Sequence, residues 1–294
     1  MFKVFFWTAT TFTACVLAAT SVGAAEIRVD PSRTATSGAV LEGKIETGDF
    51  DKFKTFVLNG NNPAEIYLAS PGGNLAEAMK IGLLVRILKL STVVPSKAMT
   101  NQGHYLTASR HNLKDPNSDY MCASACFFIF VAGIHRTSED LGPAILGIHM
   151  PFLSNDDLKK LNLDQATAVE DRIRTTVGNY LKAMDVPSKY AEDMYSVPKG
   201  KIQWIRNDEF QADFAGFIPE LRDLVVARCR SAEVEKRGPV PFSDTSMKKN
   251  EAQLGCERKL QDELARDAYD NARKRQNGGT RQSTFDGLSP PLPK

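Results

Sequence analysis

Ala64-Glu65-Ile66-Tyr67-Leu68-Ala69-Ser70-Pro71-Gly72-Gly73-Asn74-Leu75 is the stretch on which the fold turns. Its first half is short and apolar, as a buried strand requires. Pro71, Gly72 and Gly73 end that strand abruptly, and Asn74 is a good N-cap for a helix over residues 75–88, whose Ala, Met, Ile and Leu face a core. Two glycines in this position let the backbone turn sharply and aim N–H groups at a ligand, beside a helix N-terminus that favours negative charge. Taken alone, the same residues also make an ordinary tight turn.

The flanking sequence repeats the alternation. Upstream, Ala39-Val40-Leu41-Glu42-Gly43-Lys44-Ile45 reads as a strand, and residues 49–58 as an amphipathic helix with Phe50, Phe53, Phe56 and Val57 on one side. Downstream, residues 90–95 form another apolar strand. Strand–helix–strand–helix–strand is the pattern of an α/β fold. Residues 96 to about 119 are polar and read as an insertion. An apolar helix is expected from Tyr120 to about Ala132, closed by Gly133. Ala144 to His149 forms a strand ended by Pro151. Helices follow over 156–184 and 190–194, then a short strand at Gln203-Trp204-Ile205 and a helix over 207–214. Beyond about residue 231 charge density rises; residues 248–276 read as a solvated helix and 277–294 as disordered.

With 294 residues, 42% hydrophobic and 24% charged, the chain is long enough to bury a large core and is not a disordered one. Its net charge of +2 gives no broad face for nucleic acid. Residues 1–25 stand apart: Lys3, then an apolar stretch, then Ser21-Val22-Gly23-Ala24-Ala25. This is the layout of a secretory leader, cut after Ala25 or, nearly as well, after Ala24. Phe12 argues against a lipoprotein reading of Cys15, and no later segment offers enough apolar residues to span a bilayer. The expected organisation is a leader over 1–25, an α/β domain over 26–230 and a charged extension over 231–294.

Export decides how the cysteines are read. Without Cys15 there remain Cys122, Cys126, Cys229 and Cys256, an even number with three full pairings open. Cys122 and Cys126 are four apart, on one face of a helix and within disulfide reach. A zinc site with His104 and His111 fits no common ligand spacing, so disulfides are expected and no metal.

Three features carry chemistry. One is the Gly72-Gly73 turn. The second is Ser124, flanked by Ala123 and Ala125 where an apolar helix begins; its hydroxyl can be exposed there, with the Ala125 N–H as an oxyanion donor. A helix cap is the plainer reading of the same serine. The third is His149, at a strand end before Met150-Pro151, where many histidines only satisfy local hydrogen bonds. Nucleophile, base and glycine turn together are the parts of an acyl-transfer site.

Ile66-Tyr67-Leu68 followed by Ser70-Pro71-Gly72-Gly73, Ser124 among small residues before an apolar helix, and Ile148-His149-Met150-Pro151 resemble the Clp protease proteolytic subunit and the wider ClpP/crotonase superfamily. The likeness covers residues 39 to about 217, and the 25 residues from Ser124 to His149 are similar to the family spacing. The Cys122-to-Cys126 run with Gly133, Arg136 and His149 looks like a group of exported bacterial Clp-protease-like proteins. The resemblance implies a spiral of strand–strand–helix units, Ser124 as nucleophile and His149 as general base. It makes Gly73 (or Gly72) and Ala125 the oxyanion donors.

It also implies a homo-oligomer in the periplasm acting on peptides or unfolded chains, with no cofactor, no ATP and no membrane attachment once the leader is gone. Two departures stand out. Gly73 and Ser124 lie 51 residues apart, longer than in the family. The family's third residue, an aspartate, should fall near 196–204, where there is no acid; Asp193 is the nearest candidate, then Asp208 and Asp171. The reading is an ATP-independent serine peptidase. Its rival is a scaffold that kept the fold and lost turnover, and acyl-CoA chemistry fits export poorly.

Overall fold

The computed structural model describes residues 24–30, 38–99, 105–106, 113–115, 119–139, 142–151, 159–229 and 244–277. The leader apart from Ala24 and Ala25, most of the 96–119 insertion with His104 and His111, and the expected disordered segment 277–294 apart from Asn277 lie outside them.

The chain is mixed α/β. A six-stranded sheet has the order β1 (Glu26–Val29), β2 (Gly38–Glu42), β3 (Glu65–Ala69), β4 (Ser91–Val94), β8 (His135–Ser138), β11 (Gly216–Phe217). β2, β3, β4 and β8 run parallel, while β1 and β11 close the edges antiparallel. Parallel neighbours need crossovers, and the sequence supplies them. α1 (Asp49–Phe56) joins β2 to β3, and α2 (Leu75–Ile87) joins β3 to β4. The four apolar residues of the first crossover all turn to the core, with Phe53 and Val57 fully buried. α2 starts where expected, with the Asn74 side chain accepting the Glu77 N–H. Glu77 in turn accepts the N–H groups of Gly48 and Phe50, which caps α1 in place of its own N-cap residue.

A second sheet holds the residues of chemical interest. Its order is β10 (Gln203–Trp204), β9 (Leu146–Ile148), β7 (Cys122–Ala123), with β7 and β9 parallel. The two sheets are stitched at Ser70, which leaves the large sheet at the end of β3 and bridges to Cys122. The Ser70 N–H donates to the Met121 carbonyl at 2.7 Å, and the Ala123 N–H to the Ser70 carbonyl at 3.0 Å. β5 (Ala98–Met99) and β6 (Tyr105–Leu106) make a small hairpin within the insertion. Its later part is pinned to the body: buried Glu42 accepts the N–H groups of Lys114 and Asp115.

The sequence places one helix wrongly. Tyr120 to Ala123 is not helical; the chain runs extended through β7, and α3 (Ala125–Phe130) begins only after Ser124. β7 must pair with both β9 and Ser70, and that long-range pairing overrides the local helix tendency. Beyond His149 lie α4 (Leu163–Ala183), α5 (Lys189–Ser196), α6 (Asn207–Asp213) and α7 (Pro219–Cys229). The charged extension forms α8 (Asp244–Asn277), and it is not solvated all round. Leu260, Ala265, Tyr269 and Ala272 are buried. The Tyr269 hydroxyl donates to the Pro63 carbonyl at 3.0 Å, and a Cys229–Cys256 disulfide ties α8 to α7.

Arg136, on β8, is buried and donates to the Gly133 and Met184 carbonyls, one at the end of α3 and one at the end of α4. Its role is therefore to satisfy helix C-termini. Beside it His135 packs on the Phe217 ring, with centroids 4.3 Å apart. Burial pushes its imidazole down to about 4. The unfolded chain therefore binds a proton near pH 6.5 that the folded chain refuses. This stabilisation is complete above about pH 6.5 and is lost as pH falls toward 4. His135→Gln should remove on the order of 2 kcal/mol of the difference in unfolding free energy between pH 7 and pH 4.5, measured in urea. An unchanged difference would mean that the imidazole titrates as it does in water.

Candidate active site

Ser124 sits at the turn from β7 into α3 with φ 58° and ψ −123°. That conformation is left-handed and costs a non-glycine residue about 1–3 kcal/mol unless its surroundings hold it in place. Here they do. The Ser124 N–H donates to the Gly147 carbonyl of β9 at 3.0 Å, and its carbonyl accepts the Phe127 N–H. The Cys122–Cys126 disulfide brackets the turn, with Cα atoms 5.3 Å apart. Both cysteines are fully buried. One comes from the strand and the other from the helix, so the bridge is not the one-face helical pair that the spacing suggests.

The hydroxyl does not cap the helix: Ser124 makes no side-chain bond to the amides of α3. Among the described residues Oγ has no hydrogen-bond partner, and the residue is half-buried. The glycine turn lies against it. Because Ser70 is bridged to Cys122, the parallel register carries Gly72 alongside Ser124. A Cβ on Gly72 would stand 2.5 Å from the Ser124 Cβ and 2.8 Å from its Oγ. The Gly72 N–H is already committed to the Ser70 Oγ at 3.1 Å. The N–H groups of Gly73 and Ala125 have no acceptor among the described residues. Gly73 is exposed, and Ala125 is the first residue of its helix, where N–H groups have no intrahelical partner.

His149 follows β9, so Ser124 and His149 leave the C-terminal ends of neighbouring parallel strands, the edge where sheets of this kind carry ligands. Its Nδ1 is 2.7 Å from the Met150 carbonyl oxygen. A carbonyl only accepts, so Nδ1 is the donor and, in the neutral ring, Nε2 is the nitrogen with the lone pair. Asp193 lies on α5, where its field reaches Lys189 and Tyr190, and no hydrogen bond joins its carboxylate to His149. Asp208 pairs with Arg206, and Asp171 is an exposed residue of α4. The Ser124 hydroxyl and the imidazole are not hydrogen-bonded to each other. Trp204 and Ile202, missed from sequence, flank the small sheet: a Cβ on Gly147 would meet both side chains, and each is more than a third exposed.

No group of three or more potential metal ligands occurs among the described residues. No helix among them is long and apolar enough to cross a membrane. No protein-family model matches the chain, and no curated protein does. Among solved structures, a point mutant of the 1510-N membrane-bound stomatin-specific protease superposes with a TM-score of 0.35 at 14% identity, covering 63% of this chain and 80% of that one.

Proposed function

We propose that this chain is an exported serine hydrolase of ClpP/crotonase-like architecture that cleaves peptides or unfolded chains without ATP. The observation that supports it most is Ser124 itself: a strained, uncapped serine on a strand-to-helix turn, with its hydroxyl unpartnered. A structural serine there would spend its hydroxyl on the helix N-terminus. In the proposed reaction Oγ attacks the substrate carbonyl while His149 Nε2 takes its proton. The oxyanion is met by the N–H groups of Gly73 and Ala125, Gly72 being excluded by its bond to Ser70. The proton passes to the leaving amine, and water then releases the acyl group from Ser124.

Labelling with a fluorophosphonate tests this. The wild type should become covalently modified at Ser124, and Ser124→Ala should lose all labelling while keeping its melting temperature or gaining slightly, since alanine in place of the serine removes no capping bond. The absent hydrogen bond between Ser124 and His149 favours one other reading, a binding protein that kept the fold. A wild-type protein that resists the probe at every pH from 6 to 9 would decide for that reading.

A further inference from the structure

The amide nitrogen of Ala25 lies 3.1 Å from Oδ2 of Asp49. Asp49 is completely buried, and Ala25 is only 3% exposed, its methyl group part of the main core. The same carboxylate accepts the Glu46 N–H at 2.7 Å, and its other oxygen pairs with Lys52 Nζ at 2.7 Å. Nearby, Glu46 faces Lys44, and Glu77 faces Lys80 and the N–H groups of Gly48 and Phe50. Lys52 is half exposed, so within the core Asp49 meets only amide N–H donors. A buried carboxylate served in this way gains much from a second cation.

The sequence leaves two leader cuts open, after Ala24 and after Ala25, and the structure separates them. A cut after Ala25 discards a core methyl group and takes a donor from a buried carboxylate. A cut after Ala24 gives up a single bridge to Lys44 and turns that donor into an ammonium. Val22 and Ala24 then fill the −3 and −1 positions that leader peptidases require to be small.

We propose that processing cuts the Ala24–Ala25 bond and that the new α-ammonium of Ala25 is held on the Asp49 carboxylate as a structural ion pair. Water supplies both halves of the change under a leader peptidase: its hydroxyl goes to the Ala24 carbonyl, which leaves as a carboxylate. Its proton goes to the Ala25 nitrogen, which is protonated again at neutral pH. Because Ala25 is buried, the cut precedes the closing of β1 and α1 over it. The proposal rests on the leader reading of residues 1–25 and is independent of the hydrolase reading.

The full chain is expressed in an exporting bacterium, purified, and its N-terminus read by Edman degradation and intact mass. The expected first residue is Ala25; a chain beginning at Glu26, or one left uncut, overturns the proposal. The seat is read separately, by the rate at which an N-hydroxysuccinimide ester labels the α-amine at pH 7, folded against urea-unfolded. Labelling should be slower in the folded protein by about tenfold or more, as a hydrogen bond to a charged group holds the amine. Asp49→Asn should bring the folded rate close to the unfolded one. Equal rates in wild type overturn the ion pair even if that variant fails to fold.

Discussion

Gly73→Ala should be among the most damaging single substitutions in the molecule, lowering stability by roughly 3–5 kcal/mol, the sum of overpacking and backbone strain. A Cβ at this position would stand 2.1 Å from the Ile45 carbonyl oxygen and 2.9 Å from its carbonyl carbon and its nitrogen. These are backbone atoms, and they cannot rotate away. The Ile45 N–H donates to the Gly72 carbonyl and its carbonyl accepts the Asn74 N–H, so moving it breaks both bonds. The φ of 138° adds strain for any side chain. For a domain of this size the melting temperature should fall on the order of 10 °C. Gly200→Ala is the control: its φ is 77° but no atom lies within 4 Å of the added Cβ, so only the conformational cost remains, about 1 kcal/mol. Equal melting shifts in the two variants would show that the Ile45 contact does not constrain the turn.

The same turn shows what a reader of the sequence can and cannot see. Asn74 as a cap, Gly72-Gly73 as a turn and β2, β3 and β4 as strands were legible because each depends on residues within a few positions. The conformation of Ser124 was not. It follows from the Ser124 N–H pairing with Gly147 on one side and Cys122 of β7 pairing with Ser70 on the other, contacts that span 23 and 52 residues. β8 was missed for a related reason. His135-Arg136-Thr137-Ser138 has no apolar alternation, yet it lies between β4 and β11, because Arg136 is buried by serving two helix ends. α8 was read as solvated from its charge. The spacing of Leu260, Leu264, Ala265, Ala268, Tyr269 and Ala272 was the available signal for a docked face. Asp193 was chosen by its nearness in sequence to where a family aspartate belongs, and no hydrogen bond joins it to the imidazole, whose Nδ1 faces the Met150 carbonyl instead.

That substitution of partners sets the second large effect, on turnover. With the Nδ1 proton on the Met150 carbonyl, the imidazole is held in the tautomer that a base needs. A neutral carbonyl stabilises the imidazolium less than a carboxylate does, since charge-assisted hydrogen bonds are about twice as strong as neutral ones. The Met150 carbonyl should therefore orient the ring for its work as a base, while contributing less to the imidazolium than a carboxylate at Nδ1 would. His149→Ala should lower the rate of Ser124 acylation by an activated ester about 10²–10⁴-fold, the contribution of one positioned base. Its folding should be little changed, because the side chain is only half-buried. Asp193→Asn should leave the acylation rate within about twofold, since its carboxylate makes no hydrogen bond to the base on which charge develops in the transition state. Acylation measured by stopped flow on all three proteins separates the outcomes. An equal loss in both variants would mean that substrate binding draws Asp193 to the imidazole. An unchanged rate in His149→Ala would remove the histidine from the mechanism and leave Ser124 to a base supplied from elsewhere.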